Sequence, residues 1–240
     1  FPTRRSSDLS DIIYAADATT FQLHLPHTNF TIDTPLVAEF NVYNMLAAAA
    51  AATAVHIDPP AIRTGLMTVP AIDGRMERIH LGQPFLTIVD FAHTPRSLEL
   101  AIAAARAMTA GRIITVFGSA GLRDVAKRRL MAEISARDAD LTVLTAEDPR
   151  TESLADILAT MAAGAEAEGG VEDKTFWRIA DRGRAIHFAL QLARPSDLVL
   201  ICGKGHEQSM CFGATEYPWD DRDATRQALK EAGLEADGAH

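Results

Sequence analysis

Cysteine is scarce. Cys202 and Cys211 are the only two in 240 residues, too few for a disulfide framework and wrongly spaced for a thiolate metal site. No apolar run approaches the roughly 20 residues that a membrane-crossing helix needs, and no leader of secretory type opens the chain. Positive charge is also short. Lys and Arg number 23 against 32 Asp and Glu, a net charge of -9, whereas general nucleic-acid affinity requires a positive face. These absences argue against a disulfide scaffold, a membrane protein and a nucleic-acid binder. The expectation is a cytoplasmic protein with reduced thiols and small-molecule partners.

The standard phosphate-binding signatures are missing as well. The stretch IITVFGSAGLRDVAKRR, Ile113 to Arg129, has their outline: an apolar run, a glycine turn, then a basic helix. A Walker loop needs G-x-x-x-x-G-K-[ST], and a dinucleotide fingerprint needs G-x-G-x-x-G. Only Gly118 and Gly121 occur here, and no Lys-Ser or Lys-Thr follows. The amides that open a helix still carry partial positive charge and suit an anion. Arg123 and Lys127, four apart, share one helix face. Taken alone, the turn reads as an ordinary strand-to-helix connection.

What is present is a core. Hydrophobic residues make up 48% of the chain, which argues against disorder. The opening FPTRRSSDL, Phe1 to Leu9, has no periodicity and reads as a non-native leader, so residues 1–9 are set apart. Next, FQLHL and FTID alternate apolar and polar residues around the turn PHTN, as a hairpin does. AEFNVYNMLAAAAAATAV follows as a helix, because alanine is the best helix former. A second short helix is expected near Ile62 to Leu66.

After Gly74 the pattern changes. FLTIV (Phe85–Val89), IITVF (Ile113–Phe117), LTVLT (Leu141–Thr145) and LVLIC (Leu198–Cys202) are nearly continuous apolar runs, as expected of strands buried on both faces. FWRIA (Phe176–Ala180) adds a fifth. Helices are expected over Pro95–Met108, Val125–Arg137, Leu154–Ala163, Arg182–Ala193 and Asp221–Gly233, with a hairpin turning at Gly213. Thr94-Pro95 is a capping residue followed by proline at the first helical position. Alternating strand and helix implies an α/β fold with a Rossmann-like, mostly parallel sheet. Ligands of such sheets bind beyond the carboxyl ends of the strands. Four runs are followed by DFAHTP, GSAGLRD, AEDPR and GKGHE, all polar, turn-rich and bound for the same sheet edge. Four such loops converging favour a site over four ordinary turns.

Six motifs in order, FNVYN, GRMER, VDFAHTP, GLRDVAKR, EDPRTE and GKGHE, make the stretch from about Glu39 to Gly233 resemble the carboxyl-terminal half of the Mur ligases, specifically the diamino-acid-adding tripeptide synthetases. The resemblance implies that residues 10–76 are the last part of a central ATP-binding domain and residues 77–240 the carboxyl-terminal domain. It places Asn41, Asn44, Arg75 and Asp90 around ATP. Asn41 and Asn44, three apart, face one way and offer amides that suit an adenine edge, though helix capping is an equal local reading. Asp90 ends a buried strand, where an acid can accept ribose hydroxyls. Phe91 stands where the family often has Tyr. The resemblance places Arg123, Asp148, Arg150, Gly203 and Glu207 around the incoming amino acid. That suits their chemistry, since guanidinium forks bind carboxylates and carboxylates accept from ammonium groups. His93 and His206 read as turn residues, the latter with a structural hydrogen bond. Asp124 and Lys127 are expected to hold the loop or the nucleotide side.

One departure bears on specificity. Loops that read meso-diaminopimelate commonly resemble DNPR, and here Glu147 and Asp148 replace Asp and Asn. Asp148 adds a negative charge that favours an extra ammonium, whereas Arg150 favours a carboxylate. The amino acid stays open between diaminopimelate and lysine or ornithine. The G-K-T loop and the magnesium-holding segment of the family are absent from the sequence, so no metal ligand is assigned here. The expected function is ATP- and Mg2+-dependent addition of a diamino acid to UDP-N-acetylmuramoyl-L-alanyl-D-glutamate in peptidoglycan synthesis, with this chain a fragment inactive alone. The alternatives are another ligase of the folylpolyglutamate type and a non-catalytic binding protein that keeps the fold.

Overall fold

The computed structural model describes residues 8–15 and 18–233. The chain divides into two compact units, Phe1–Ile72 and Asp73–His240. Among the described residues no helix is long and apolar enough to cross a membrane.

The first unit is a three-stranded antiparallel meander with two helices. The strands are β1 (Asp8–Tyr14), β2 (Thr19–Leu25) and β3 (Thr28–Thr34), and the helices are α1 (Glu39–Ala54) and α2 (Pro59–Thr68). Alternation sets the register. Every second residue of β2 is buried, and Phe21, Leu23 and Ile32 meet Val42, Met45, Ala49, Ile62 and Leu66 in one core cluster. The expected hairpin, β2 with β3, forms around Pro26 and His27. Asp8 and Leu9, which the leader expectation covers, belong to β1, where Leu9 pairs with Leu23 and packs on the cluster. Residues 1–7 lie outside the described residues.

The second unit contains β4 (Glu77–Arg78), β5 (Leu86–Asp90), α3 (Pro95–Met108), β6 (Ile113–Phe117), α4 (Ala126–Asp138), β7 (Leu141–Leu144), α5 (Leu154–Ala167), β8 (Phe176–Arg178), α6 (Arg182–Leu192), β9 (Leu198–Cys202), β10 (Ser209–Phe212), β11 (Thr215–Pro218) and α7 (Asp221–Glu231). Six strands form one sheet in the order β4-β5-β9-β6-β7-β8. All neighbours run parallel except β4, which is antiparallel to β5. The continuous apolar runs lie at the centre, and β6 and β9 are buried at every residue. The hydroxyls inside these strands are bonded. Thr115 and Thr142 both meet Ser135 of α4, at 2.6 and 2.7 Å, so these three buried hydroxyls are matched to one another.

Two details depart from the sequence expectation. β4 has two residues, too short to show any period. Helix α5 runs on to Ala167 instead of stopping before Gly164. That glycine is a packing residue, because a Cβ there would lie 2.5 Å from the Arg129 carbonyl of α4. Elsewhere the local signals hold. Thr94 and Ser97 form a reciprocal capping box at the start of α3, and β10 and β11 turn at Gly213 and Ala214.

Candidate functional site

Parallel strands deliver their carboxyl ends to one edge, so the loops after β5, β6, β7 and β9 meet there. A cleft of about 530 Å³ opens among them. Its lining includes His93, Arg123, Lys127, Glu147, Asp148, Arg150, Gly203 and Glu207. All five residues assigned from sequence to the amino acid are therefore together in one cleft.

The loops are stitched to one another. The Gly121 amide donates to the Asp148 carbonyl at 2.9 Å, and a side chain on Gly121 would strike the Pro149 carbonyl. The Leu122 amide donates to the Glu152 carboxylate. Arg128, almost fully buried, pairs with Glu152 at 2.8 Å and donates to the Ala120 carbonyl at 3.2 Å. Lys127 reaches across from α4 and donates to the His93 carbonyl at 3.0 Å. Asp124 accepts from the Ala126 amide and so holds the start of α4. The glycine turn after β6 is thus one wall of this cleft.

The loop after β7 carries strain. Asp148 and Arg150 have φ of 41° and 55°, a left-handed region uncommon outside glycine and better tolerated by Asp than by Arg. Strain of this kind persists only where surroundings over-determine it. Here the β10–β11 hairpin supplies the restraint. The Arg150 amide donates to the Cys211 carbonyl at 3.1 Å, and the Gly213 amide donates to the Arg150 carbonyl at 2.8 Å. The Cys211 amide donates to Asp148 Oδ1 at 2.9 Å.

The charges in the cleft fall into two groups. Lys204, with its side chain 2% exposed, donates to both Asp148 oxygens at 3.0 Å and lies 2.7 Å from Glu207 Oε2. Burial disfavours its ammonium, but hydrogen bonds to Glu207 and Asp148 outweigh that and raise its pKa. The extra ammonium that Asp148 was expected to favour is supplied by the chain itself. Arg123 and Arg150 form the second group. Arg123 is exposed with no ion-pair partner among the described residues, and Arg150 keeps a buried Nε without a hydrogen-bond partner. Two guanidiniums are left for a ligand.

Glu147 was noted from sequence only as a departure from DNPR and given no role. It is 5% exposed, and its Oε2 is fully buried with no hydrogen-bond partner. Burial pushes its carboxyl up to about 7, against the pull of Arg182, Lys127 and Lys204. A Cβ on Gly203 would sit 2.1 Å from that Oε2, and Gly203 has φ of 113°. Gly203 is therefore needed both for its backbone and for the room it leaves. Gly203→Ala is expected to destabilise this unit by about 1–3 kcal/mol from backbone strain alone. A thermal melt with no shift would show that the loop relaxes freely.

Arg182 was also missed. Its side chain is fully buried and pairs with Asp221 at 2.7 Å. It donates to the carbonyls of Ala146 at 3.1 Å and Cys202 at 2.8 Å. Those two carbonyls immediately precede Glu147 and Gly203, so Arg182 fixes the strand ends from which the cleft residues leave.

The residues assigned from sequence to the nucleotide are arranged differently. Asp90 is 4% exposed and does not line the cleft. Its oxygens accept from the Met76 and Ala92 amides, each at 2.8 Å. Burial raises its pKa, and those two amides and Arg75 offset part of the rise. Arg75 is exposed, with its guanidinium 4.5 Å from the Phe91 ring centre. The rings of His93 and His206 pack on Phe91 at 4.5 and 4.9 Å. His93 Nδ1 bonds the Phe91 carbonyl at 2.9 Å, as a turn residue does. His206 is exposed with its ring against Phe91, and no side-chain hydrogen bond joins it to another described residue. In the first unit, Asn41 is buried and donates to the Val37 carbonyl at 2.8 Å, its Oδ1 unpartnered, while Asn44 is exposed. Among the described residues no group of three or more His, Cys, Asp or Glu could hold a metal ion.

Comparison with known proteins points to one family. A family model described as "Mur ligase, glutamate ligase domain" matches residues 74–205, more than half of the chain. A UDP-N-acetylmuramyl-tripeptide synthetase of Roseiflexus sp. (strain RS-1) is 45% identical over 223 residues, 93% of this chain and 44% of that protein. A UDP-N-acetylmuramoyl-L-alanyl-D-glutamate–2,6-diaminopimelate ligase of Oceanobacillus iheyensis is 42% identical over the same shares. A solved structure of a ligase with that same activity name superposes with a TM-score of 0.66 at 31% identity, covering 96% of this chain and 46% of that one. The chain spans less than half the length of these relatives.

Proposed function

The chain belongs to the Mur ligase family, and on that premise we propose that it is the carboxyl-terminal part of an ATP-dependent ligase that joins a diamino acid to UDP-N-acetylmuramoyl-L-alanyl-D-glutamate in peptidoglycan synthesis. The observation that carries the reading is the cleft, lined by Arg123, Arg150 and Glu207, where the two arginines have no ion-pair partner among the described residues. Guanidinium forks suit carboxylates, and a carboxylate suits an ammonium. Diaminopimelate is the amino acid these charges suit best. It carries two carboxylates, and Lys204 already neutralises Asp148, so the charge that would reject a distal carboxylate is matched. The name of the relative from Oceanobacillus iheyensis supports the same choice.

In this reading ATP phosphorylates the D-glutamate γ-carboxylate, and the amino group of the diamino acid attacks the acyl phosphate. The second unit binds and orients the amino acid, and positioning is the main contribution its residues can make. Asn41, Asn44, Arg75 and Asp90 are assigned to the nucleotide. Asp90 acts through the turn at Met76, which it tethers beside Arg75. Residues 10–76 are read as the last part of a central ATP-binding domain.

The test is product formation by the full-length gene product. ADP and tripeptide product are expected only when ATP, UDP-muramoyl dipeptide and diaminopimelate are all present. The 240-residue chain alone is expected to form none, because its sequence holds no G-K-T loop. Ligation by the isolated chain, or none by the full-length protein, refutes this reading.

A further inference from the structure

We propose that Glu147 is the catalytic base that takes a proton from the attacking amino group. The proposal rests on the ligase reading above and assigns a step that the charge-reading residues leave open. The α-amino group of an amino acid is largely an ammonium at neutral pH, with no free lone pair. Something in the cleft has to remove a proton before the nitrogen can bond to carbon.

The other candidates in the cleft are committed. Asp148 is held by Lys204 and the Cys211 amide. Glu207 is 42% exposed and lies against the same lysine. Asp124 is exposed and accepts from the Ala126 amide. The His93 ring bonds the Phe91 carbonyl. Glu147 alone among these carboxylates has a buried oxygen without a partner while lining the cleft. The open side of Gly203 lies against that oxygen, the only residue type that leaves the space.

The step balances as follows. The ammonium gives one N–H proton to the Glu147 carboxylate. The lone pair set free forms the C–N bond at the acyl carbon while the bond from that carbon to the phosphate oxygen breaks, its electrons leaving on phosphate. The second proton passes to phosphate or water. The groups that face Glu147 are Lys127 from α4, Arg182 from α6, Lys204 after β9 and Asp148 beside it. Three cations keep the carboxylate available, and burial makes its protonated form tolerable. A base poised near the working pH is the efficient kind.

The experiment uses the full-length ligase with Glu147→Gln and Glu147→Asp. Amide formation with diaminopimelate is measured across pH, beside hydroxamate formation with hydroxylamine, which is neutral at pH 7 and needs no prior deprotonation. Glu147→Gln is expected to lose about a hundredfold or more in amide formation, the range of general-base effects. It should keep hydroxamate formation within about threefold of the parent, by the same reasoning. The rise in activity through neutral pH should vanish with it, and Glu147→Asp should restore part of both. Equal loss with both nucleophiles would make Glu147 a structural residue and overturn the proposal, as would amide formation by Glu147→Gln close to the parent. A parent that forms neither product sinks the ligase reading itself, and the proposal with it.

Discussion

Arg182→Met is expected to lower the stability of the second unit by about 3–5 kcal/mol, the usual cost of breaking a buried ion pair. Both members are fully buried. Burial disfavours the Arg182 cation, but the charge and hydrogen bonds of Asp221 outweigh it and hold its pKa up. Removing the guanidinium leaves Asp221 charged and buried with only Trp219 Nε1, at 2.8 Å, still donating from a side chain. It also strips the side-chain donor from the Ala146 and Cys202 carbonyls. The double variant Arg182→Met with Asp221→Leu is expected to lose less than the sum of the two single changes, because no uncompensated charge remains. The readout is denaturant unfolding followed by tryptophan fluorescence. Both tryptophans, Trp177 and Trp219, lie in the second unit, and Trp219 touches the pair directly. Strict additivity of the two single losses would mean that the pair does not act as a unit.

That pair also marks where sequence reasoning stopped. The sheet was legible because burial on both faces leaves a local trace, the four continuous apolar runs. The site edge was legible because parallel strands must send their carboxyl ends to one side. The five residues assigned to the amino acid came together for that reason, helped by motifs whose order resembles a family. What escaped has no local trace. Arg182 opens the helix DRGRAI and reads as a solvated charge until α7 is seen to cover it. Glu147 sits in a polar loop, and only the packing of Gly118 and Gly203 against it reveals that it is buried. β4 was too short to show alternation. Asp148 illustrates the same limit in reverse. Its charge was read as favouring an ammonium on the incoming amino acid, whereas it is held by Lys204, 56 residues away in sequence, and no spacing rule connects them.

Lys204→Met is expected to turn the intact ligase away from diaminopimelate and toward lysine, with the ratio of kcat/KM for the two falling about ten- to a hundredfold. In the parent, the Lys204 ammonium sits 3.0 Å from both Asp148 oxygens and 2.7 Å from Glu207. It cancels the charge that separates this loop from its amide-bearing form. Methionine keeps the length of the stem and removes the cation. Asp148 then faces the cleft uncompensated, where it repels a distal carboxylate and attracts an ammonium. A charge-assisted hydrogen bond is worth roughly 1.5–3 kcal/mol, and each 1.4 kcal/mol is about tenfold. Asp148→Asn alone should act the other way, since Lys204 then keeps only Glu207 and the cleft gains positive charge; lysine should suffer more than diaminopimelate. The double variant, Lys204→Met with Asp148→Asn, removes both charges and should return the ratio to within about threefold of the parent, as coupled neighbours do. If Lys204→Met depresses both amino acids equally and Asp148→Asn does not rescue it, the lysine merely supports the loop, and the specificity of this cleft has to be sought in Arg150 instead.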